Sequence, residues 1–217
     1  MDQLNDILIY GAGGFGREVA CLVHAINRIN PAWNLLGFLD DGLASGTVNE
    51  YGKVLGGIDI LNAMPSKTAV AIAIADPSIV EKIVAGTSHP EVWFPNLIAP
   101  NAFFFDENNV SLGKGNLITF GCRISCKVKL GNFNILNGQI SLGHDVSLGD
   151  FNVMMPETRI SGETSIGNSN FFGARSLVLQ RIKIGNNTRI GSGSIVMRKT
   201  KDGMSYFGNP AKIIGEK

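Results

Sequence analysis

Several features that announce common functions are scarce or missing in this sequence. Cysteine occurs three times in 217 residues, as Cys21, Cys122 and Cys126. The odd number and uneven spacing argue against a disulfide framework and fit a reduced, cytoplasmic protein. Neither sign of charge dominates, because 19 Lys and Arg face 18 Asp and Glu. That balance provides no long-range field to collect nucleic acid or an anionic membrane. No apolar run approaches ~18 residues, so no membrane-spanning segment is expected. Met1 to Asp6 holds two acidic residues and no basic ones, which is not the pattern of a signal peptide. Histidine occurs only as His24, His89 and His144, which limits the places where neutral-pH proton transfer could be sited. With 44% hydrophobic and 17% charged residues, the chain is a foldable one, long enough for one large or two small domains.

What is present is organised by two different periods. Residues 1–88 read as alternating strands and helices. Ile7–Tyr10 is a short apolar strand, followed by Gly11-Ala-Gly-Gly-Phe-Gly16. Helical spacing then runs from Arg17 to Ile29, with Val19, Leu22, Val23 and Ile26 on one face. Leu35–Leu39 reads as a second strand, closed by Asp40-Asp41-Gly42. Ala69–Ala75 reads as a third, apolar enough to be buried on both faces. Asp76 can cap a helix begun by Pro77, with Ile79, Ile83 and Val84 facing inward. These elements predict a small parallel α/β, Rossmann-like unit.

From about residue 97 the period becomes six. The residues at 112, 118, 124 and every sixth position to 196 are all apolar, fifteen in one unbroken register. At 44% hydrophobic content such a run arises by chance on the order of once in 10⁵ trials. Glycine follows the apolar residue at 113, 131, 143, 149, 167, 173, 185 and 191. A small or β-branched residue often precedes it by two, as at Cys122, Val128, Thr158 and Ser176. This repeat predicts a parallel β-helix over residues 89–217. Three hexapeptides would close one triangular coil, making about five coils, with an earlier irregular turn through Ile98, Phe104 and Val110. The aliphatic residue would point to the axis, and the following glycine would supply a positive φ at the corner.

Six blocks of sequence, in order, resemble the hexapeptide-repeat sugar acyltransferases, which include sialic-acid O-acetyltransferases and nucleotide-sugar N-acetyltransferases of the bacillosamine pathway. The blocks are Tyr10-Gly-Ala-Gly-Gly-Phe-Gly16, Gly37-Phe-Leu-Asp-Asp41, Ile72-Ala-Ile-Ala-Asp76, Pro95-Asn-Leu-Ile-Ala-Pro100, Gly143-His-Asp-Val-Ser-Leu-Gly149 and Gly208-Asn-Pro-Ala-Lys212. The resemblance implies a left-handed β-helix, a homotrimer, acetyl-CoA as co-substrate and no metal. It implies transfer of an acetyl group to an amine or hydroxyl of a nucleotide-linked sugar. His144 would be the general base, with Asp145 stabilising its imidazolium. Gly13, Gly14, Phe15 and Ala75 would line the nucleotide-sugar pocket, with Asp40 and Asp41 on the nucleoside side. Val153, Gly173, Ala174 and Ser192 fall at acyl-CoA positions, and Arg175, Arg189 and Arg198 could meet CoA phosphates or be ordinary solvated charges.

Three positions depart from the family pattern: Phe15 and Val153 stand where many members have histidine, and Ala75 where many have glycine. Phe15 leaves open an O-acetyltransferase acting on a non-nucleotide polysaccharide precursor. Phe15 and Val153 together leave open a non-catalytic nucleotide-sugar and CoA-binding scaffold. A β-helix carbonic anhydrase would need three converging histidines, and only His144 lies in the repeat.

Overall fold

The structure is a computed structural model that describes residues 4–216. The first three residues, part of the segment on which the expected lack of a signal peptide rests, lie outside them. The chain forms two compact units that divide between Pro100 and Asn101. No helix among the described residues is long and apolar enough to cross a membrane.

The first unit is an α/β sheet. In chain order it comprises β1 (Asn5–Tyr10), α1 (Gly14–Ile29), β2 (Trp33–Leu39), β3 (Val48–Asn49), β4 (Gly52–Gly56), α2 (Ile58–Asn62), β5 (Thr68–Ile72), α3 (Pro77–Gly86) and β6 (Val92–Trp93). The sheet order is β3-β4-β2-β1-β5-β6, parallel except for the β3–β4 hairpin. β1 has neighbours reached by crossovers in both directions, so the carboxyl ends of β1, β2 and β5 open on a topological switch point. Ile7, Leu8 and Ile9 are fully buried there, as a central parallel strand requires. Asp76 caps α3 by accepting from Ser78 N and Ile79 N, with Pro77 in the first turn. The buried face of α3 is Pro77, Val80 and Ile83 rather than the expected Ile79, Ile83 and Val84; Ile79 is 42% exposed. The hairpin and α2 had no periodic signal, being too short to show one.

The second unit is a triangular parallel β-helix. Two-residue strands pair with strands 18 residues on, as Leu117 with Ile135 and Arg123 with Ser141, so three hexapeptides make one coil. Of the fifteen step-of-six positions, fourteen are buried and Leu112 is half-buried. Each buried aliphatic side chain is worth about 1.5–3 kcal/mol of transfer free energy. The early turn is irregular, since Phe104 pairs with Ile124 across 20 residues. The hairpin of Met204–Phe207 and Lys212–Glu216 ends the repeat.

The glycine column does a different job from the one expected. None of Gly113, Gly131, Gly143, Gly149, Gly167, Gly173, Gly185 and Gly191 has a positive φ. Glycine is needed there because the next coil lies too close: a Cβ on Gly149 would sit 2.8 Å from Gly167 O, and one on Gly167 2.7 Å from Gly185 O. The left-handed residues fall two positions later, at every sixth residue from 115 to 193, and eleven of them are not glycine. Asp145 is one, at φ 58°.

A second ladder runs inside the coils. Asn116, Asn134, Asn152 and Asn170, each 18 residues apart, are buried. The Oδ1 of each accepts from the backbone N of the residue one coil later: Asn134, Asn152, Asn170 and finally Thr188. The Nδ2 groups of Asn134, Asn152 and Asn170 donate back to the preceding Oδ1. Each buried amide is thereby satisfied, as a polar group removed from water must be.

Candidate active site

Every third hexapeptide corner aligns along the helix, and one column of corners carries Cys126, His144, Gly162 and Gln180. His144 and Asp145 side chains are 49% and 48% exposed, with Nδ1 2.9 Å from Asp145 Oδ2. An ionised carboxylate can only accept, so the neutral imidazole carries its proton on Nδ1 and keeps the Nε2 lone pair free. Asp145 reaches this position because its left-handed backbone turns the side chain beside the preceding ring; aspartate is among the residues that tolerate that conformation.

The ring lies over Gly162. A Cβ there would be 2.6 Å from His144 Nε2 and 2.7 Å from Cε1. Gly162 is out of step with the glycine column by one residue and 18 residues after His144, the one sequence signal that could have found it. Beside it, Glu163 N donates to His144 O, and its carboxylate holds Arg181 through two hydrogen bonds of 2.9 and 3.0 Å. The Arg181 hydrogen bond first, then Gln180, hold the Glu163 carboxyl below its usual range.

The expected acyl-CoA residues are on other parts of the helix. Val153 is fully buried in the strand Val153–Met154 and offers no surface to a ligand. Gly173 is buried too, and a Cβ on it would lie 2.7 Å from Ser192 Oγ. Ala174 and Ser192 reach the surface, stacked one coil apart at a different corner from His144. Gly193 N donates to Ala174 O there. A single chain therefore does not bring His144 together with Ala174 and Ser192. Among the arginines considered for CoA, Arg175 is bound to Glu157 by two hydrogen bonds of 2.8 and 3.2 Å, and Arg189 stacks over Phe171 at 4.4 Å.

In the first unit, Gly13, Gly14, Phe15, Asp40 and Asp41 line one cavity of about 430 Å³ with Tyr10, Gly11, Gly42, Ala73, Ile74 and Ile79. Ala75 does not line it. The glycines divide by role. A Cβ on Gly11 would meet Ala73 O at 2.7 Å, and one on Gly16 would collide with Gly11 O, so these two allow close helix–strand packing. Gly13 and Gly14 face open space, leaving the start of α1 without a side-chain cap at the cavity. Asp40 accepts from Ala12 N and Gly42 N at 2.9 Å each. Asp41 accepts from Tyr10 Oη at 2.6 Å and from Ile58 N at 3.0 Å. Both carboxylates thus fix the cavity wall. Burial, then the Asp41 hydrogen bond, push the Tyr10 phenol well above its ordinary range, so it stays a donor.

His24 is exposed on α1 with its ring 6.1 Å from that of Tyr51, and His89 accepts from Glu91 N in a loop. Among the described residues no three His, Cys, Asp or Glu side chains converge as a metal site would require.

Residues 6–86 match the PglD N-terminal domain. No curated protein matches the chain in sequence. Among solved structures, the acetyltransferase domain of PglB from Neisseria gonorrhoeae, in complex with acetyl coenzyme A, aligns with a TM-score of 0.88 and 26% identity over 98% of this chain and 100% of that one. WeeI from Acinetobacter baumannii aligns with a TM-score of 0.86 and 29% identity over 96% and 99%. PerB from Caulobacter crescentus, in complex with CoA and GDP-perosamine, has the same fold, with a TM-score of 0.83 and 23% identity over 98% and 99%. Through its whole length the chain thus has the architecture of the hexapeptide-repeat sugar acyltransferases: a PglD-type α/β domain followed by a left-handed parallel β-helix.

Proposed function

We propose that this protein transfers an acetyl group from acetyl-CoA to an amine of a nucleotide-linked sugar, with His144 as the general base. The observation that carries the reading is the exposed His144–Asp145 pair, with Nδ1 engaged and Nε2 free, on a fold shared with a PglB acetyltransferase domain solved in complex with acetyl coenzyme A. Nε2 takes the proton as the acceptor nitrogen attacks the thioester carbonyl. The new N–C bond forms, the C–S bond breaks, and the imidazolium returns the proton to the leaving thiolate. Asp145 orients the ring and offsets its transient charge.

The cavity lined by Gly13, Gly14 and Phe15 takes the nucleotide portion, with main-chain N–H groups at the start of α1 able to donate to it. Ala174 and Ser192 meet CoA through a second copy of the chain. Because one chain holds them at a different corner from His144, a homotrimer with shared sites is the assembly we propose. The three free cysteines fit a cytoplasmic setting. The apolar ring of Phe15 in the cavity favours a second reading, acetylation of a hydroxyl on another polysaccharide precursor.

Turnover of acetyl-CoA, followed by thiol release against UDP-, dTDP- and GDP-amino sugars and their hydroxyl counterparts, separates the acceptors. Turnover that survives His144→Ala undiminished would remove His144 as the base. A wild-type chain that binds CoA and sugar nucleotide without turnover would establish the scaffold reading instead.

A further inference from the structure

One outer column of the β-helix runs Phe103, Arg123, Ser141, Arg159 and Leu177, each paired in register with the next. Two guanidinium-bearing residues thus straddle one serine. The coil spacing of about 4.8 Å puts their backbones about 10 Å apart, a span that long arginine side chains can close over a single anion. Arg123 and Arg159 line a cavity of about 410 Å³ together with Ser125, Ser141, Ser161 and Gly143, the residue before His144.

Their pairing differs from that of Arg175 and Arg181. Arg175 and Arg181 each form a two-bond pair with a glutamate one coil earlier, Glu157 and Glu163. The corresponding neighbours of Arg123 and Arg159 are Phe103 and Ser141, which carry no charge. The acids around this face are engaged elsewhere: Glu157 with Arg175, Glu163 with Arg181 and Asp145 with His144. Glu157 feels the Arg159 charge, but among the described residues neither Arg123 nor Arg159 forms an ion pair. Two planar cations flanking the Ser141 hydroxyl make a fork suited to phosphate oxygens.

We propose that Arg123 and Arg159, with the Ser125, Ser141 and Ser161 hydroxyls, form a phosphate-binding site on the face beside the His144 corner. The site takes a phosphate or diphosphate group of a ligand whose reactive end lies at His144. It deepens the acyl-transfer reading and rests on it for the ligand's identity, but it is tested by binding alone. The phosphate can belong to the acyl-CoA donor or to the nucleotide-linked acceptor, and the chemistry of the site is the same for both.

The test is calorimetric titration of the full chain with CoA, dephospho-CoA and the nucleoside diphosphates UDP, dTDP and GDP. Wild type, Arg123→Gln, Arg159→Gln, the double variant and the Arg→Lys double variant are compared. Each single Arg→Gln change is expected to weaken binding about 10-fold and the double change about 100-fold, because a charge-assisted pair is lost each time. The Arg→Lys pair should recover part of the loss, since it restores charge without the fork. A loss for CoA with nucleoside diphosphates unaffected assigns the site to the donor, and a smaller loss for dephospho-CoA narrows it to the 3′-phosphate. A loss for nucleoside diphosphates alone assigns it to the acceptor. Affinities unchanged within about twofold for all ligands, in variants with a wild-type melting temperature, would overturn the proposal. So would a wild type that binds none of them at millimolar concentration. A protein that binds through this pair yet transfers no acetyl group would leave the site standing and remove the acyl-transfer reading.

Discussion

Two columns of the β-helix, each sampled once per 18-residue coil, follow opposite rules. Inside, Asn116, Asn134, Asn152 and Asn170 are alike, buried and joined amide to amide. At the corner, Cys126, His144, Gly162 and Gln180 all differ, and His144 is half-exposed with one ring nitrogen unengaged. The inner column is satisfied by repeating itself, because each residue supplies what the next requires. The corner column holds a chemically available group by breaking the repeat: a glycine one coil on gives the imidazole space that any side chain would fill. Uniform stacking stabilises a solenoid, and a reactive group needs a local exception to it.

The largest expected effect comes from deleting the exception itself. His144→Ala should lower kcat by about 10²–10⁴, the usual contribution of a positioned general base. As a corner substitution it should leave the thermal midpoint close to that of wild type. A variant that loses stability and rate together would erase the contrast between the columns.

Next is Gly162→Ala, which fills the space under the ring. The added methyl cannot coexist with Nε2 and Cε1 at 2.6 and 2.7 Å, so the imidazole must shift. A displacement near 1 Å at a catalytic group can cost on the order of 10²-fold in rate. The loss should appear in kcat, with the KM for acetyl-CoA little changed. Full activity in this variant would show that the ring does not need its present seat.

Asn152→Ala tests the inner column. It removes the Oδ1 that accepts from both Asn170 N and Nδ2, leaving buried donors with a lost partner. The expected cost is about 1–3 kcal/mol, or about 3–10 °C in thermal midpoint for a chain of this size. Turnover per folded molecule should stay at the wild-type level.

The two columns also differed in how far the sequence disclosed them. The six-residue apolar register was legible because every inward position obeys it, and burial bears it out from Ile118 to Val196. The asparagine ladder was not, since single asparagines read as turn residues until compared at a spacing of 18. Glycine was noticed but misread: the positive φ values belong to residues such as Lys127, Phe133 and Asp145, whose types do not announce them. In the first unit the Gly-rich turn, Asp40 and Asp41 were singled out in advance and line one cavity, while Ile79 was placed in the core by helical period yet lies at that cavity. His144 was singled out from a short list of histidines and a family resemblance. Gly162, Arg123 and Arg159 gain meaning only from what stands one coil away, information that a linear reading holds but does not display.

The smallest expected effect sharpens the asymmetry of the corner column. Cys126 stands one coil before His144, and Gly162 one coil after it. The ring leans toward Gly162, while the contact recorded on the other side is between main chains, Asp145 N donating to Cys126 O at 3.1 Å. Main-chain pairing is indifferent to the thiol, so Cys126→Ser should change kcat by less than about twofold. Thiol labelling at neutral pH provides the structural control. Cys122, at an inner position, has its thiol pushed up to about 11 by burial and should resist modification until the chain unfolds. Cys21 is exposed and Cys126 half-buried, so two thiols should react, and one of the two labels should disappear in the Cys126→Ser variant. A tenfold loss of rate in that variant would mean that His144 is braced from both neighbouring coils, and the corner would then resemble the inner column more than its mixed residues suggest.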